Sequence, residues 1–124
     1  MNDAVALVAR VLLSALFIVI GARSLMNVGG TAGFLGRSGV PSPQIVAWVV
    51  IAVELIGGLM VLVGFKARWA ALGLCVFTAA TIYLGHKFWI DASQLTHALK
   101  NLGIMGGFLL LFANGPGRYS VDGR

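Results

Sequence analysis

Acidic residues are nearly missing from this 124-residue chain: Glu54 is its only glutamate, and Asp3, Asp91 and Asp122 are its only aspartates. Charge of either sign is scarce, at 10% of residues where a soluble globular domain has about 25%. With 59% hydrophobic residues and a mean hydropathy of +0.94, that scarcity excludes a water-soluble domain. Cysteine is limited to Cys75, inside an apolar segment, which excludes an intrachain disulfide and reads as a small packing residue. A basic stripe is also missing. The net charge of +5 comes from Lys and Arg at the ends of apolar runs, where they meet anionic headgroups, so no nucleic-acid partner is expected. The N-terminus lacks the basic opening of a cleavable signal peptide: Asp3 stands there, Arg10 interrupts the apolar stretch, and further spans follow.

What is present is length of apolar sequence. Four segments emerge, from about Ala4 to Ala22, Gln44 to Phe65, Ala67 to Gly85 and Leu95 to Ala113. Each is near the ~20 residues that cross a bilayer as a helix. Lipid demands that every backbone polar group be satisfied internally, and these continuous runs lack the alternation of barrel strands. The expected fold is all-α, a single-domain four-helix transmembrane bundle. Pro41 and Pro43 suit a helix start. The Lys66–Arg68 turn is short enough to make the second and third spans antiparallel neighbours. The longest link, Arg23 to Pro43, is Gly-rich and too polar to span, with Phe34 and Leu35 suited to a short amphipathic piece at the interface. The link from His86 to Gln94 carries Trp89 for the aromatic belt. Arg10, Lys66, Arg68, Arg118 and Arg124 fall on the face of the termini, against Arg23, Arg37, Lys87 and Lys100 on the other. The balance points to cytoplasmic termini.

Glu54 sits midway along a stretch without other charge from Ser38 to Phe65. At about 1.5 Å rise per residue, it lies near the centre of a roughly 30 Å hydrocarbon layer. A carboxylate there costs at least ~2.5 kcal/mol, so it is protonated, paired or facing a cavity. The functional reading is a proton or cation carrier, or an acceptor for a quinone-like headgroup; the structural one is a buried group that fixes helix register. Arg10 is its expected partner, about 9 Å below the membrane face where Glu54 is about 16 Å below it. The alternative for Arg10 is to snorkel back to the interface. His86, Lys87, Lys100 and Asn101 gather toward the opposite face, and a candidate polar track runs through the bundle with His86 and Lys100 at one mouth, Glu54 at the centre and Arg10 toward the other. His86 and His97 share a membrane side, but no third ligand at metal spacing accompanies them, so neither metal nor haem is expected. The Gly-rich stretch from Asn27 to Gly39 follows no strand and is not a nucleotide-binding loop.

Taken in order, these pieces resemble the DoxX family of small bacterial membrane proteins over nearly the whole chain. The resemblance rests on Arg10 and Phe17-Ile-Val-Ile-Gly21 in the first span, then Gly39-Val-Pro41, Glu54-Leu-Ile-Gly57-Gly58 and Gly64. It continues with His86-Lys-Phe-Trp89, Lys100-Asn101, Gly106-Gly107-Phe-Leu-Leu and the terminal Gly115-Pro-Gly117-Arg-Tyr-Ser-Val-Asp122. Two positions depart from the family pattern: Ser24 replaces a usual lysine, with Arg23 beside it, and Pro116 replaces a small residue. The resemblance implies a bacterial inner-membrane fold and a link to quinol-dependent oxidases, thiosulfate:quinone oxidoreduction or thiol and oxidative stress. On that reading the chain is a membrane subunit of an oxidoreductase complex more than an enzyme alone. Glu54 and Arg10 form the central catalytic pair, His86, Lys100, Asn101 and Trp89 bind substrate, and quinone is the candidate cofactor, with none covalently bound. Its partners are the lipid bilayer, redox-enzyme subunits and a second copy of the chain. The alternatives are a proton-coupled small-molecule transporter and a non-catalytic scaffold or assembly factor. Small multidrug transporters also carry one embedded glutamate, but in their first span.

Overall fold

The computed structural model describes residues 2–85 and 92–123. Five α-helices follow in order: α1 (Asp3–Met26), α2 (Val28–Arg37), α3 (Pro43–Val63), α4 (Ala67–Gly85) and α5 (Leu95–Asn114). A short 3-10 turn, Ala92–Gln94, leads into α5. Four segments are long and apolar enough to cross a membrane: Asp3–Met26, Pro43–Val63, Ala67–Leu84 and Ala92–Asn114. The protein is an all-α membrane bundle. Outward-facing Leu12, Ile45, Trp69 and Leu110 are each more than half exposed, as side chains bathed in lipid are.

Local chemistry sets the helix ends. The Asn2 side chain accepts from the backbone N–H groups of Ala4 and Val5, at 2.8 and 3.3 Å, and opens α1. Expected to end near Ala22, α1 runs on to Met26 and stops at Asn27, whose backbone leaves the helical region at φ −144° and ψ 63°. Asn27 then caps α2 by accepting from the Gly30 N–H at 3.1 Å. A Cβ on Gly30 would lie 2.5 Å from the Asn27 amide nitrogen, so this cap requires glycine there. The helix that follows is the amphipathic piece anticipated around Phe34 and Leu35. Its Ala32 and Leu35 are buried against Ala47 of α3, flanked by Val28, Val46 and Val50. α2 therefore lies on the bundle wall.

α1 and α3 pack extensively and run antiparallel. Residues along α1 (Arg10, Ile18, Gly21) meet residues in reverse order along α3 (Leu62, Gly58, Glu54). The buried stripe of α1 is Ala6, Arg10, Ser14, Phe17 and Gly21; that of α3 is Ala47, Ile51, Glu54, Gly58 and Val61. Both keep the three-and-four spacing of one helical face. Between lipid-embedded helices little hydrophobic drive remains, so close approach at small residues matters more. Gly21 and Gly58 supply it: a Cβ at either would fall 2.9 Å from a side-chain carbon of Leu55 or Ile18. Phe17, Val61, Ala71, Leu74, Cys75, Phe108 and Leu111 form the dry core where α1, α3, α4 and α5 meet. Phe17 stacks at a tilt on Phe108, with ring centroids 5.4 Å apart.

Candidate functional site

Glu54 is 7% exposed and lines a cavity of about 1050 Å³, at the upper end of the range for small-molecule sites. Among the described residues no hydrogen bond or ion pair reaches its carboxyl. The cavity walls come from the C-terminal half of α1, the inner face of α2, the first half of α3 and the last turns of α4, with Asn101 from α5. Most of the lining is apolar, including Phe17, Val50, Val53 and Phe77. Phe17 and Phe77 meet edge to face at 6.3 Å and form one wall.

Helix register places the polar lining in tiers. A Cβ on Gly57 would touch Leu74 at 3.0 Å, which fixes the antiparallel level of α3 against α4. One turn further toward α2, Glu54 and Thr78 therefore stand at the same depth. The Cys75 thiol approaches the Met105 carbonyl at 3.8 Å, and one turn on from that contact Asn101 joins the tier. Thr81 lies one turn nearer the α2 end, and Ser24, Asn27, Thr31 and Arg23 line the cavity further out still. The threonines were not singled out from the sequence. Two hydroxyls three residues apart in an otherwise apolar helix were the available signal.

Arg10 is not part of this site. Fully buried, it points away from Glu54 and donates through Nη1 to the carbonyls of Leu62 at 2.7 Å and Val61 at 3.4 Å, and through Nη2 to the carbonyl of Tyr119. Among the described residues its Nε–H has no partner. The expected Glu54–Arg10 pair does not form, because the last turn of α3 and the tail offer nearer acceptors. Leu62 is eight residues beyond Glu54, roughly 12 Å along the helix. The single ion pair among the described residues is Arg118 with Asp3, at 4.0 Å on the surface.

The tail completes this second cluster. Val121 and Asp122 N–H groups donate to the carbonyls of Val63 and Gly64, both at 2.9 Å. The Asp122 carboxylate accepts from the N–H groups of Lys66 and Ala67, at 2.8 and 2.9 Å, capping α4. Gly64 turns with φ +75°, and a Cβ there would collide with Ser120. One end of the bundle is thus closed by a clamp of backbone hydrogen bonds, and the cavity occupies the other.

The remaining candidates divide. Asn101 lines the cavity, whereas Lys100 is exposed and is not among the lining residues. His97 is likewise exposed. His86 and Trp89 lie outside the described residues. Among the described residues no group of three or more His, Cys, Asp or Glu is placed to hold a metal ion.

Comparison with known proteins agrees with this architecture. The DoxX family model matches residues 5–87, which span α1 through α4 and include Glu54. The chain belongs to the DoxX family. Inner membrane protein YqjF of Escherichia coli (strain K12) is 39% identical over 122 residues, covering 98% of this chain and 92% of its own. Inner membrane protein YphA of the same organism is 32% identical over 123 residues, covering 95% and 88%. A protein of Bacillus subtilis (strain 168) named "Putative oxidoreductase CatD" is 39% identical over 62 residues, half of this chain and 45% of its own. No solved structure matches.

Proposed function

We propose that this DoxX-family protein is an inner-membrane subunit or partner of a quinone-linked or thiol- and oxidative-stress redox complex, with Glu54 as its proton-handling group. The observation that carries this reading is a buried carboxyl, unpaired among the described residues, in a largely apolar cavity of about 1050 Å³. An ionisable residue so placed inside a membrane is a functional site by default. The Phe17 and Phe77 wall suits a planar, lipid-soluble ring. Oxidation of a hydroquinone to a quinone releases two protons and two electrons. Glu54 takes up one proton, the second leaves by the cavity mouth, and the electrons pass to a flavin, haem or metal centre on a partner subunit. The word oxidoreductase in the name of CatD supports the redox direction. The names of YqjF and YphA support placement in the inner membrane, and the distribution of Lys and Arg favours cytoplasmic termini.

The test is to purify the C-terminally tagged chain from native membranes in mild detergent and identify stoichiometric companions by mass spectrometry. A flavoprotein, sulfurtransferase or oxidase subunit at near-equal abundance is expected. Glu54→Gln is expected to fold normally and to lose protection against thiol or oxidative stress. A Glu54→Leu protein as stable and as active as the parent would sink this assignment. Isolation as a homo-oligomer without companions would move weight to a proton-coupled carrier.

A further inference from the structure

The polar groups of the inner tier and of the turn beyond it are mostly hydrogen-bond acceptors. The Thr78 hydroxyl donates to the Leu74 carbonyl at 2.7 Å, and the Thr81 hydroxyl donates to the Thr78 carbonyl at 2.7 Å. Each hydroxyl proton is therefore engaged with backbone, and what these side chains offer to the cavity is oxygen lone pairs. Glu54, ionised as the proton uptake proposed above requires, adds carboxylate oxygens that only accept. Asn101 alone at this level carries a side-chain amide donor. Arg23 and the Asn27 amide, the other strong donors in the lining, sit toward the α2 end.

A ring bearing two hydroxyls and its oxidised dicarbonyl form have nearly the same shape and opposite hydrogen-bonding character. The reduced form donates twice; the oxidised form only accepts. We propose that Thr78 and Thr81, acting with Glu54, make this cavity selective for the reduced, hydroxyl-bearing form of a lipid-soluble dihydroxyaromatic over its oxidised form. The inference rests on the redox reading above and adds to it which form binds and which residues choose. One hydroxyl donates to Glu54 and the other to the Thr78 oxygen, with the ring against Phe17 and Phe77. The oxidised ring would set its carbonyl oxygens against the same lone pairs, and Asn101 would satisfy only one of them. Leaving a buried polar group unmatched weakens binding by roughly tenfold.

The experiment uses the full chain in lipid nanodiscs, with equilibrium dialysis of a decyl-chain benzoquinol held reduced under anaerobic conditions, against the matching decyl benzoquinone. The reduced form is expected to bind at least about tenfold tighter. Thr78→Val keeps the side-chain shape and removes the lone pairs; it is expected to bring the ratio to about threefold or less with the melting temperature unchanged. Glu54→Gln, which adds a donor at the same place, is expected to compress the ratio by raising affinity for the oxidised form. Equal binding of the two forms by the parent, or preference for the quinone, overturns this inference and leaves the redox reading standing. A parent ratio unaffected by Thr78→Val also overturns it. No binding of either form overturns this inference and the quinone-linked form of the redox reading together.

Discussion

Arg10 donates to the carbonyl of Leu62, 2.7 Å away, and ties α1 to the last turn of α3 rather than to Glu54. The last carbonyls of a helix have no partner inside it, and in lipid none from water. The planar guanidinium fits this task because it donates to three carbonyls at once, two from α3 and one from the tail.

Truncating Arg10 should therefore damage the fold and leave the chemistry of Glu54 in place. Arg10→Met is expected to lower stability by about 3 kcal/mol or more, since buried carbonyls lose their donors. Arg10→Lys should recover only part, because an ammonium cannot fork across three acceptors. Deleting residues 119–124 should be far less harmful in the Arg10→Met background than in the parent, as expected for groups that act as one cluster. Thermal unfolding in a fixed detergent measures all four; additive losses would show that the clamp is not a unit.

Asp122 is the cap of α4 although it follows α5 in sequence. Replacing it with Ala removes the acceptor of the Lys66 and Ala67 N–H groups and is expected to cost about 1 kcal/mol. Asp122→Asn, which keeps a side-chain oxygen, should lose less. Hydrogen exchange localises the effect: the first turn of α4 should lose protection while α3 keeps its own. Uniform loss across the bundle would mean that the tail serves a different purpose.

Much of the bundle was readable from composition because lipid leaves few choices for an apolar run. The position of Glu54 in the second span and a short amphipathic piece near Phe34 and Leu35, which the structure makes a helix, followed from the same logic. What could not be read was the facing of each polar group. Depth alone put Arg10 within reach of Glu54, but the tail folds back over 109 residues of sequence separation to place the Tyr119 carbonyl beside it. A pairing of that range leaves no periodic trace. Asp122 as a cap for α4 was hidden for the same reason: capping patterns are sought within a few residues of a helix start. Thr78 and Thr81 were overlooked because isolated threonines in a membrane helix usually bond their own backbone. These two do so, and they face the cavity as well.

Gly21 holds α1 against the Glu54 segment. A Cβ on it would stand 2.9 Å from Leu55 Cγ and 3.1 Å from Glu54 Cβ. Gly21→Ala is expected to push the helices apart and to destabilise by about 1–3 kcal/mol through overpacking. Gly103→Ala meets nothing within 4 Å and should instead be neutral or slightly stabilising, as alanine is the better helix former. Unfolding of both variants tests the contrast, and comparable behaviour would mean that α1 is free to shift. Ligand binding to Gly21→Ala should weaken too, because the displaced residue carries the carboxyl.

The cavity lies on the α2 side of the bundle, while Arg10, Gly64 and the tail close the other. Access should consequently be one-sided. In a Cys75→Ala background, a cysteine at Thr81, which lines the cavity, should react with a small charged thiol reagent added on the α2 face. It should stay protected when the reagent is applied only on the face of the termini. A cysteine at Ser14, fully buried on α1 between the clamp and the cavity, should resist labelling from both faces. Oriented vesicles with an impermeant reagent provide the measurement. Labelling of Thr81→Cys from either face would require a conformation that opens past Arg10, and such alternating access is what a carrier needs. One-sided labelling instead fits a site where a ligand enters, reacts and leaves by the same mouth.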